Sequence, residues 1–285
     1  MTMANGAAPL RDRPEPDGPN RGEPQPPGPD RTRRIRRVTR DGIVHVTFDR
    51  PPLNIFDFRM LEELLDALDE VHQDPPRALI LSGAHHAFSA GLDVREYPER
   101  MSDLVEALHS VFRRLITFDG PILAGVHGPC VGAGLEIAGA CDFVIASDGA
   151  TFGQPEIGLG LVPPVATIIL PRLIGPLAAN ELILTGRIID AAEAQRLGLV
   201  SRVVPSGDGS ALGSALDELA ETLVLHSGPV TRCAKRAMYA RFRTRFMEEL
   251  AELEAMVRDE LTGLEDTREG LNAFLEKREP KWKHR

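Results

Sequence analysis

The sequence predicts an α/β fold in which short strands alternate with helices and the sheets are largely covered. From residue 42 onward, short apolar runs alternate with stretches in which apolar residues recur at helical spacing. The chain has 285 residues, of which 42% are hydrophobic, enough for a sizeable core. No apolar run approaches the roughly eighteen residues of a membrane-spanning helix, so such a helix is excluded.

Residues 1–32 are predicted to be a disordered tail, because eight prolines stand there among Gly, Asp and Arg with little to bury. Residues 31–40 then carry six arginines. A phosphate contact or a solvated flank of the first strand would both fit this cluster. No aromatic residues interleave with the arginines, and this favours the flank.

The pattern in the middle of the chain is strand, turn and helix, repeated. Beyond Pro205 only helical patterns remain, so we divide the chain into a core over 33–205 and a C-terminal helical region over 206–285. The apolar stripe of Leu250, Leu253 and Val257 needs a partner, either the body of the chain or a neighbouring subunit. The predicted strands are 43–48, 78–81, 122–126 and 143–146, and the predicted helices are 61–68, 104–116, 134–140, 211–225, 230–239, 246–261 and 268–277.

Charge and cysteine content exclude several classes of protein. A net charge of -9 argues against a nucleic-acid partner. Cys130, Cys141 and Cys233 match neither a disulfide framework nor a zinc site, so we expect no bound metal and a reducing cytoplasm. The acidic N-terminus does not match a secretion or organelle-targeting signal.

The segment 88–94 is the first candidate site. Gly91 permits a tight turn at the carboxyl end of a predicted strand, which leaves the backbone N–H of Leu92 free to point into a crevice. An ordinary strand-to-helix loop would have the same residues. The neighbouring His85 and His86 are predicted to be loop residues, because adjacent histidines do not readily share one metal.

The segment 128–136 is the second candidate. Its glycines lead into a small-residue helix whose free N–H groups favour a negative oxygen. Neither a P-loop nor a GxGxxG motif is present, and the serine hydrolase motif GxSxG is absent as well. The developing enolate oxygen of a thioester would be stabilised by two such N–H groups, an oxyanion hole.

Two glutamates stand in apolar surroundings. Glu136 belongs to the small-residue helix, and Glu156 follows Pro155 in a glycine-rich stretch. A buried carboxylate is costly unless it is paired or functional. An exposed or helix-terminal position would explain either residue alone, but the two together beside N–H donors suggest an acid/base pair with raised pKa values.

These segments resemble the crotonase family, also called the enoyl-CoA hydratase/isomerase family. The resemblance runs from about Gly42 to the C-terminus. It implies a spiral of repeated β-β-α units with a C-terminal helical trimerisation region, assembled as a trimer or a dimer of trimers. It rests on Arg50-Pro51-Pro52-Leu53-Asn54, Phe88-Ser89-Ala90-Gly91-Leu92-Asp93, Gly132-Ala133-Gly134-Leu135-Glu136, Phe152-Gly153-Gln154-Pro155-Glu156-Ile157 and Phe274-Leu275-Glu276-Lys277-Arg278.

The resemblance also implies roles for individual residues. The Leu92 and Ala133 amides would hold the thioester oxygen, and Glu136 and Glu156 match the two catalytic glutamates of the hydratases. Phe274 and Lys277 match tail positions that reach a neighbouring subunit's CoA. The remaining positions that match CoA contacts are Leu53, Ala90, Asp93 and Val94.

Two departures from the common family pattern concern the acyl group. Ala133 replaces a frequent glycine, and residues 160–166 replace a glycine-rich stretch. Together with the motifs at 51–54 and 88–94, the sequence of residues 160–166 resembles that of the family branch containing cyclohexa-1,5-diene-1-carbonyl-CoA hydratases. A cyclic or conjugated dienoyl thioester is therefore an expected substrate alongside straight-chain enoyl thioesters.

The function predicted is an acyl-CoA hydratase that adds water across an α,β-unsaturated thioester and needs no cofactor beyond the CoA of its substrate. Double-bond isomerisation or C–C hydrolysis on the same scaffold is an alternative, in which one glutamate moves protons. A catalytically silent acyl-CoA-binding subunit is the alternative from another class, and the intact glutamate pair argues against it.

Overall fold

A six-stranded sheet and a three-stranded sheet organise residues 33–285, the part of the chain that the computed structural model describes, apart from the side chains of Pro98 and Glu99. The tail predicted over 1–32 lies outside the described residues. The strands are β1 (Ile35–Arg40), β2 (Ile43–Phe48), β3 (Ala78–Gly83), β4 (Ile122–Val126), β5 (Pro129–Val131), β6 (Phe143–Ser147), β7 (Thr151–Gly153), β8 (Ile188–Asp190) and β9 (Arg202–Val204).

Nine helices of the described residues surround these sheets. None of them is long and apolar enough to cross a bilayer. They are α1 (Phe58–Gln73), α2 (Tyr97–Thr117), α3 (Ala133–Gly139), α4 (Pro164–Ile174), α5 (Pro176–Thr185), α6 (Ala191–Leu197), α7 (Ser210–Val224), α8 (Gly228–Asp259) and α9 (Glu265–Leu275).

The chain winds as a spiral of β-β-α units. The larger sheet has the order β1-β2-β3-β4-β6-β9 and the smaller has β5-β7-β8. Among the strand pairs of residues 33–285, only β1/β2 and β7/β8 are antiparallel. Each of two successive units, β4-β5-α3 and β6-β7-α4, takes one strand from each sheet and then a helix. Pairing of Ser89 with Cys130 in β5 places the segment after β3 in the same layer, so this segment, β3 and α2 form a third unit.

Burial on both faces explains the continuous apolar runs of the central strands. In β3, Leu79 and Leu81 face the main core, whereas Ala78 and Ile80 face α7 on the other side of the sheet. Helix α7 thus covers the outer face of the larger sheet. The division of the chain at residue 205 stays a prediction.

A buried ion pair fastens α8 to the sheet. The Lys235 ammonium donates to Asp142 Oδ2 and to the Gly120 carbonyl, each at 2.7 Å. Asp142 Oδ2 also accepts a hydrogen bond from the Ile122 N–H at the start of β4, at 2.8 Å. Asp142 is therefore a structural residue.

The structure corrects two expectations about the elements and decides one alternative that the sequence left open. Residues 35–40 are themselves an edge strand, with Arg36 paired to Asp49 and Arg37 to Glu70. The helices predicted over 230–239 and 246–261 are one helix, α8, because no glycine or proline interrupts residues 240–245. The alternative concerns the partner of the apolar stripe: Leu250 and Val257 are buried against the body of their own chain.

Candidate active site

One cavity of about 670 Å³ brings together most of the predicted site residues. The loop after β2, the segment after β3, α2, the start of α3, and the residues between β7 and α4 form its walls. Lys277 lies beyond the end of α9 and is not among the lining residues. The predicted residues that line the cavity are Leu53, Ala90, Leu92, Asp93, Val94, Ala133, Glu136, Glu156 and Phe274.

The N–H of Leu92 is left free by the way its segment pairs. Phe56 donates to the Gly91 carbonyl and accepts from the Asp93 N–H, both at 2.8 Å. Because these two bonds use the groups on either side of Leu92, its own N–H points away from Phe56. Gly91 has a φ of 92°, the left-handed region that favours glycine.

The N–H of Ala133 is the second free donor. Gly132, with a φ of 56°, donates its own N–H to the Gly153 carbonyl at 3.0 Å, which fixes the entry into α3. Among the described residues, no acceptor pairs with the N–H of Ala133 or of Leu92. A Cβ added to Gly91 would lie 3.8 Å from the Ala133 nitrogen, so the two donor segments are neighbours.

Glu136 is a buried carboxyl group held at a helix start. Glu136 is 2% exposed. Its Oε1 accepts a hydrogen bond of 2.7 Å from the N–H of Ala166, near the start of α4. Burial raises the pKa of Glu136 to about 7, against the opposing effect of the N–H groups of Ala166 and Val165. The group therefore titrates near neutral pH.

Glu156 lies in a single 3₁₀ turn over residues 155–159. Its Oε2 is buried and has no hydrogen-bond partner among the described residues. Burial, and then the charge of Glu136, raise the pKa of Glu156 to about 8. The charge of Glu136 therefore disfavours the ionisation of Glu156.

Asp93 is engaged by two arginines at the rim of the cavity. It accepts hydrogen bonds from Arg50 at 2.9 Å and from Arg95 at 2.6 and 2.7 Å. The hydrogen bond from Arg95, opposed by burial and assisted by Arg50, lowers the pKa of Asp93 to about 2. Asp93 therefore orients two cations that also line the cavity.

The described residues contain no group of three or more His, Cys, Asp and Glu side chains that could hold a metal ion. His85, predicted to be a loop residue, contacts Asp49 at 2.6 Å. His86 is not among the residues that line the cavity.

Comparison with known proteins identifies the family. The model of the enoyl-CoA hydratase/isomerase family matches residues 38–285. The chain belongs to this family. It is 36% identical to cyclohexa-1,5-dienecarbonyl-CoA hydratase of Thauera aromatica over 250 residues, which cover 86% of this chain and 95% of that protein. It is 39% identical over 260 residues to a protein of Mycobacterium bovis named a probable enoyl-CoA hydratase, with 88% and 97% covered.

A solved structure of the family gives the same result for the fold. The enoyl-CoA hydratase from Mycobacterium avium subsp. paratuberculosis superposes with a TM-score of 0.78 at 27% identity, covering 87% of this chain and 98% of that one. The predictions of the crotonase family, its fold and its acyl-CoA hydratase class of activity are confirmed.

Several residues of the crotonase cavity were not predicted from the sequence, among them three with polar side chains. Tyr97 lies at the start of α2, and burial, followed by the charges of Glu156 and Glu136, raises the pKa of its phenol. His109 lies three turns further along α2, and Arg95 at the rim. Tyr97 is one of only two tyrosines in the chain, and this scarcity was the one available signal.

Proposed function

We infer that Glu136 and Glu156 together add water across the double bond of an α,β-unsaturated acyl-CoA. The observation that carries this proposal is the placement of two buried carboxyl groups with raised pKa values in one cavity with two free N–H groups. General acid/base catalysis requires groups that hold and release a proton near the working pH.

The N–H groups of Leu92 and Ala133 are proposed to bind the thioester oxygen. Attack of water at the β-carbon moves charge from the double bond onto this oxygen, which becomes enolate-like. Two N–H donors already fixed by the backbone stabilise that charge without reorganisation, an effect worth about 3–4 kcal/mol per donor in other enzymes.

The environments of the glutamates suggest a division of labour. The Glu136 carboxylate accepts a backbone N–H and has the lower pKa, so it is the base that takes a proton from water. Glu156 has the higher pKa and holds its proton at neutral pH, so it is the acid that delivers a proton to the α-carbon. The hydroxyl of the water goes to the β-carbon and its proton to Glu136. Transfer of that proton to Glu156 before the next turnover restores both groups, so that one water is added in total.

The CoA portion is proposed to bind at the rim near Leu53, Ala90 and Val94. Ala90 donates its N–H to the Leu53 carbonyl at 3.0 Å, which keeps these two residues side by side. The Arg95 guanidinium, 67% exposed on its side chain and oriented by Asp93, is suited to the CoA phosphates. Phe274 and Lys277 remain proposed CoA contacts, and Phe274 lines the cavity of its own chain.

A cyclic or conjugated dienoyl group is proposed as the acyl substrate. The residues that replace the family's glycine-rich stretch, including Leu161, Val162 and Pro163, form an apolar wall of the cavity. The relative from Thauera aromatica, which is named for a cyclic dienoyl-CoA, supports this choice.

We further propose a cytoplasmic trimer or dimer of trimers that uses no cofactor beyond the CoA of its substrate. Exposed apolar side chains outside the cavity support self-association, among them Leu177, Leu225 and Met238, which are 84%, 83% and 72% exposed. Light scattering at micromolar concentration is expected to give a mass of three or six chains. A monomer would contradict the assembly.

The activity is tested by product analysis in ¹⁸O-water. The purified protein is incubated separately with crotonyl-, cinnamoyl- and cyclohexadienoyl-CoA, and the masses of the resulting thioesters are measured by mass spectrometry. Hydration adds one labelled water to at least one substrate, with the largest rate expected for cyclohexadienoyl-CoA. Rearranged product without label would indicate isomerisation, and binding without turnover of any thioester would indicate a silent acyl-CoA-binding subunit.

A further inference from the structure

The cavity of the glutamates continues along α2 toward a second cavity of about 440 Å³. Met101, Val105, His109 and Val257 line both cavities and form the partition between them. Three of these four side chains are apolar. His109 is the polar member of the partition, and its side chain is only 1% exposed.

The Nδ1 edge of His109 is fixed by α8. Nδ1 lies 2.9 Å from Glu254 Oε1, and the same oxygen accepts from Arg113 at 2.5 Å. A carboxylate oxygen can only accept, so His109 carries its proton on Nδ1. Burial lowers the pKa of His109, with Glu254 opposing, so the ring is neutral and its Nε2 is an acceptor.

The Nε2 atom is buried and has no hydrogen-bond partner among the described residues. A buried acceptor without a donor is unfavourable, and protein interiors rarely leave one. Glu254 lines the second cavity, and Nε2 lies on the opposite edge of the ring from Nδ1. Nε2 is therefore not the atom that contacts Glu254, and His109 also lines the substrate cavity.

We propose that His109 Nε2 accepts a hydrogen bond from a hydroxyl group on the distal part of the acyl chain or ring, so that the enzyme selects hydroxylated acyl-CoA substrates. This inference rests on the proposed function, because it assigns the acyl group to this cavity. It adds a specificity determinant remote from the reacting carbons. The donor comes from the ligand, since the neutral ring accepts and no side chain or backbone group of the described residues donates to Nε2.

Binding of saturated thioesters tests the inference without requiring turnover. Dissociation constants are measured by calorimetry for matched pairs: hexanoyl- and 6-hydroxyhexanoyl-CoA, octanoyl- and 8-hydroxyoctanoyl-CoA, and 3-phenylpropanoyl- and 3-(4-hydroxyphenyl)propanoyl-CoA. The quantity compared is the ratio of constants within a pair. For at least one pair, His109→Leu is expected to shift this ratio against the hydroxylated ligand by about threefold to tenfold.

Two further variants separate the two edges of the ring. His109→Asn keeps an N–H for Glu254 but lacks an acceptor at the Nε2 position, and is expected to behave as His109→Leu. His109→Gln places its amide near the Nε2 position and is expected to retain part of the preference. The exposed His226 supplies the control, and His226→Leu is expected to keep the wild-type ratios.

Equal ratios in the wild type and in all three His109 variants, for every pair, would overturn the inference. If His109→Leu does not fold, the comparison of His109→Asn with His109→Gln and the wild type decides in the same way. Failure of the proposed function is recognised separately, because the wild type would then add no ¹⁸O-water to any enoyl-CoA while the binding ratios remain measurable.

Discussion

The Glu156 carboxylate lies directly against Gly132, the residue that precedes α3. A Cβ at position 132 would collide with Glu156 Oε1. Because Gly132 also sets the entry of the chain into Ala133, this single contact links one proposed acid to one proposed oxyanion donor. The position of the acid and that of the donor therefore depend on the same glycine.

Substitution of this glycine is predicted to abolish most of the activity. Gly132→Ala forces the Glu156 side chain away and strains a φ of 56°, so we expect a loss of kcat of at least about a hundredfold, the lower range for one acid/base group. Steady-state kinetics measures the loss, and circular dichroism verifies folding. Gly158→Ala is the control. Gly158 lies in the 3₁₀ turn of Glu156, where an added Cβ meets no atom within 4 Å, so this variant should retain activity. Full activity in Gly132→Ala would show that the contact has no function.

The rate is predicted to have a bell-shaped dependence on pH. Glu136 must be deprotonated to act as base, so kcat/KM falls below its pKa of about 7. Glu156 must be protonated to act as acid, so kcat/KM falls above its pKa of about 8. The two limbs belong to the coupled pair. In Glu156→Gln the alkaline limb should vanish from the residual activity, and its persistence would exclude Glu156 as the acid.

The buried ion pair beneath α8 is predicted to dominate the stability of that helix. Asp142→Asn leaves Lys235 buried without its counter-charge and is expected to cost about 3–5 kcal/mol of unfolding free energy. Lys235→Met in the same background removes the orphaned ammonium and should recover most of this loss. The free energy of unfolding is measured by urea denaturation of the two single variants and of the double variant. Additive losses would mean that the pair is not coupled.

Sequence patterns predicted the strands and helices whose buried residues form a pattern long enough to be recognised. The central strands β3, β4 and β6 are apolar runs, and β2 has buried apolar residues interrupted by the half-buried His45 and Thr47. The three-residue strands β5, β7, β8 and β9 are too short to show a period, and β1 was hidden by its arginines. These strands exist because neighbouring segments pair with them, which local sequence does not encode.

The site was predictable to a similar extent. Glu136 and Glu156 were found because a carboxylate in apolar company is costly. Tyr97 and His109 were missed because their importance depends on which side of α2 faces the cavity. The start of this helix, at residue 97, was predicted at residue 104.

The most direct test is a double-mutant cycle on turnover with Glu136→Gln, Glu156→Gln and the double variant, and with the exposed Glu252→Gln as control. If the two acids split one water, each single variant loses about 10²–10⁴-fold in kcat, and the double variant loses no more than the worse single one. Near-normal turnover in either single variant, or losses that multiply in the double variant, would contradict the shared role of Glu136 and Glu156.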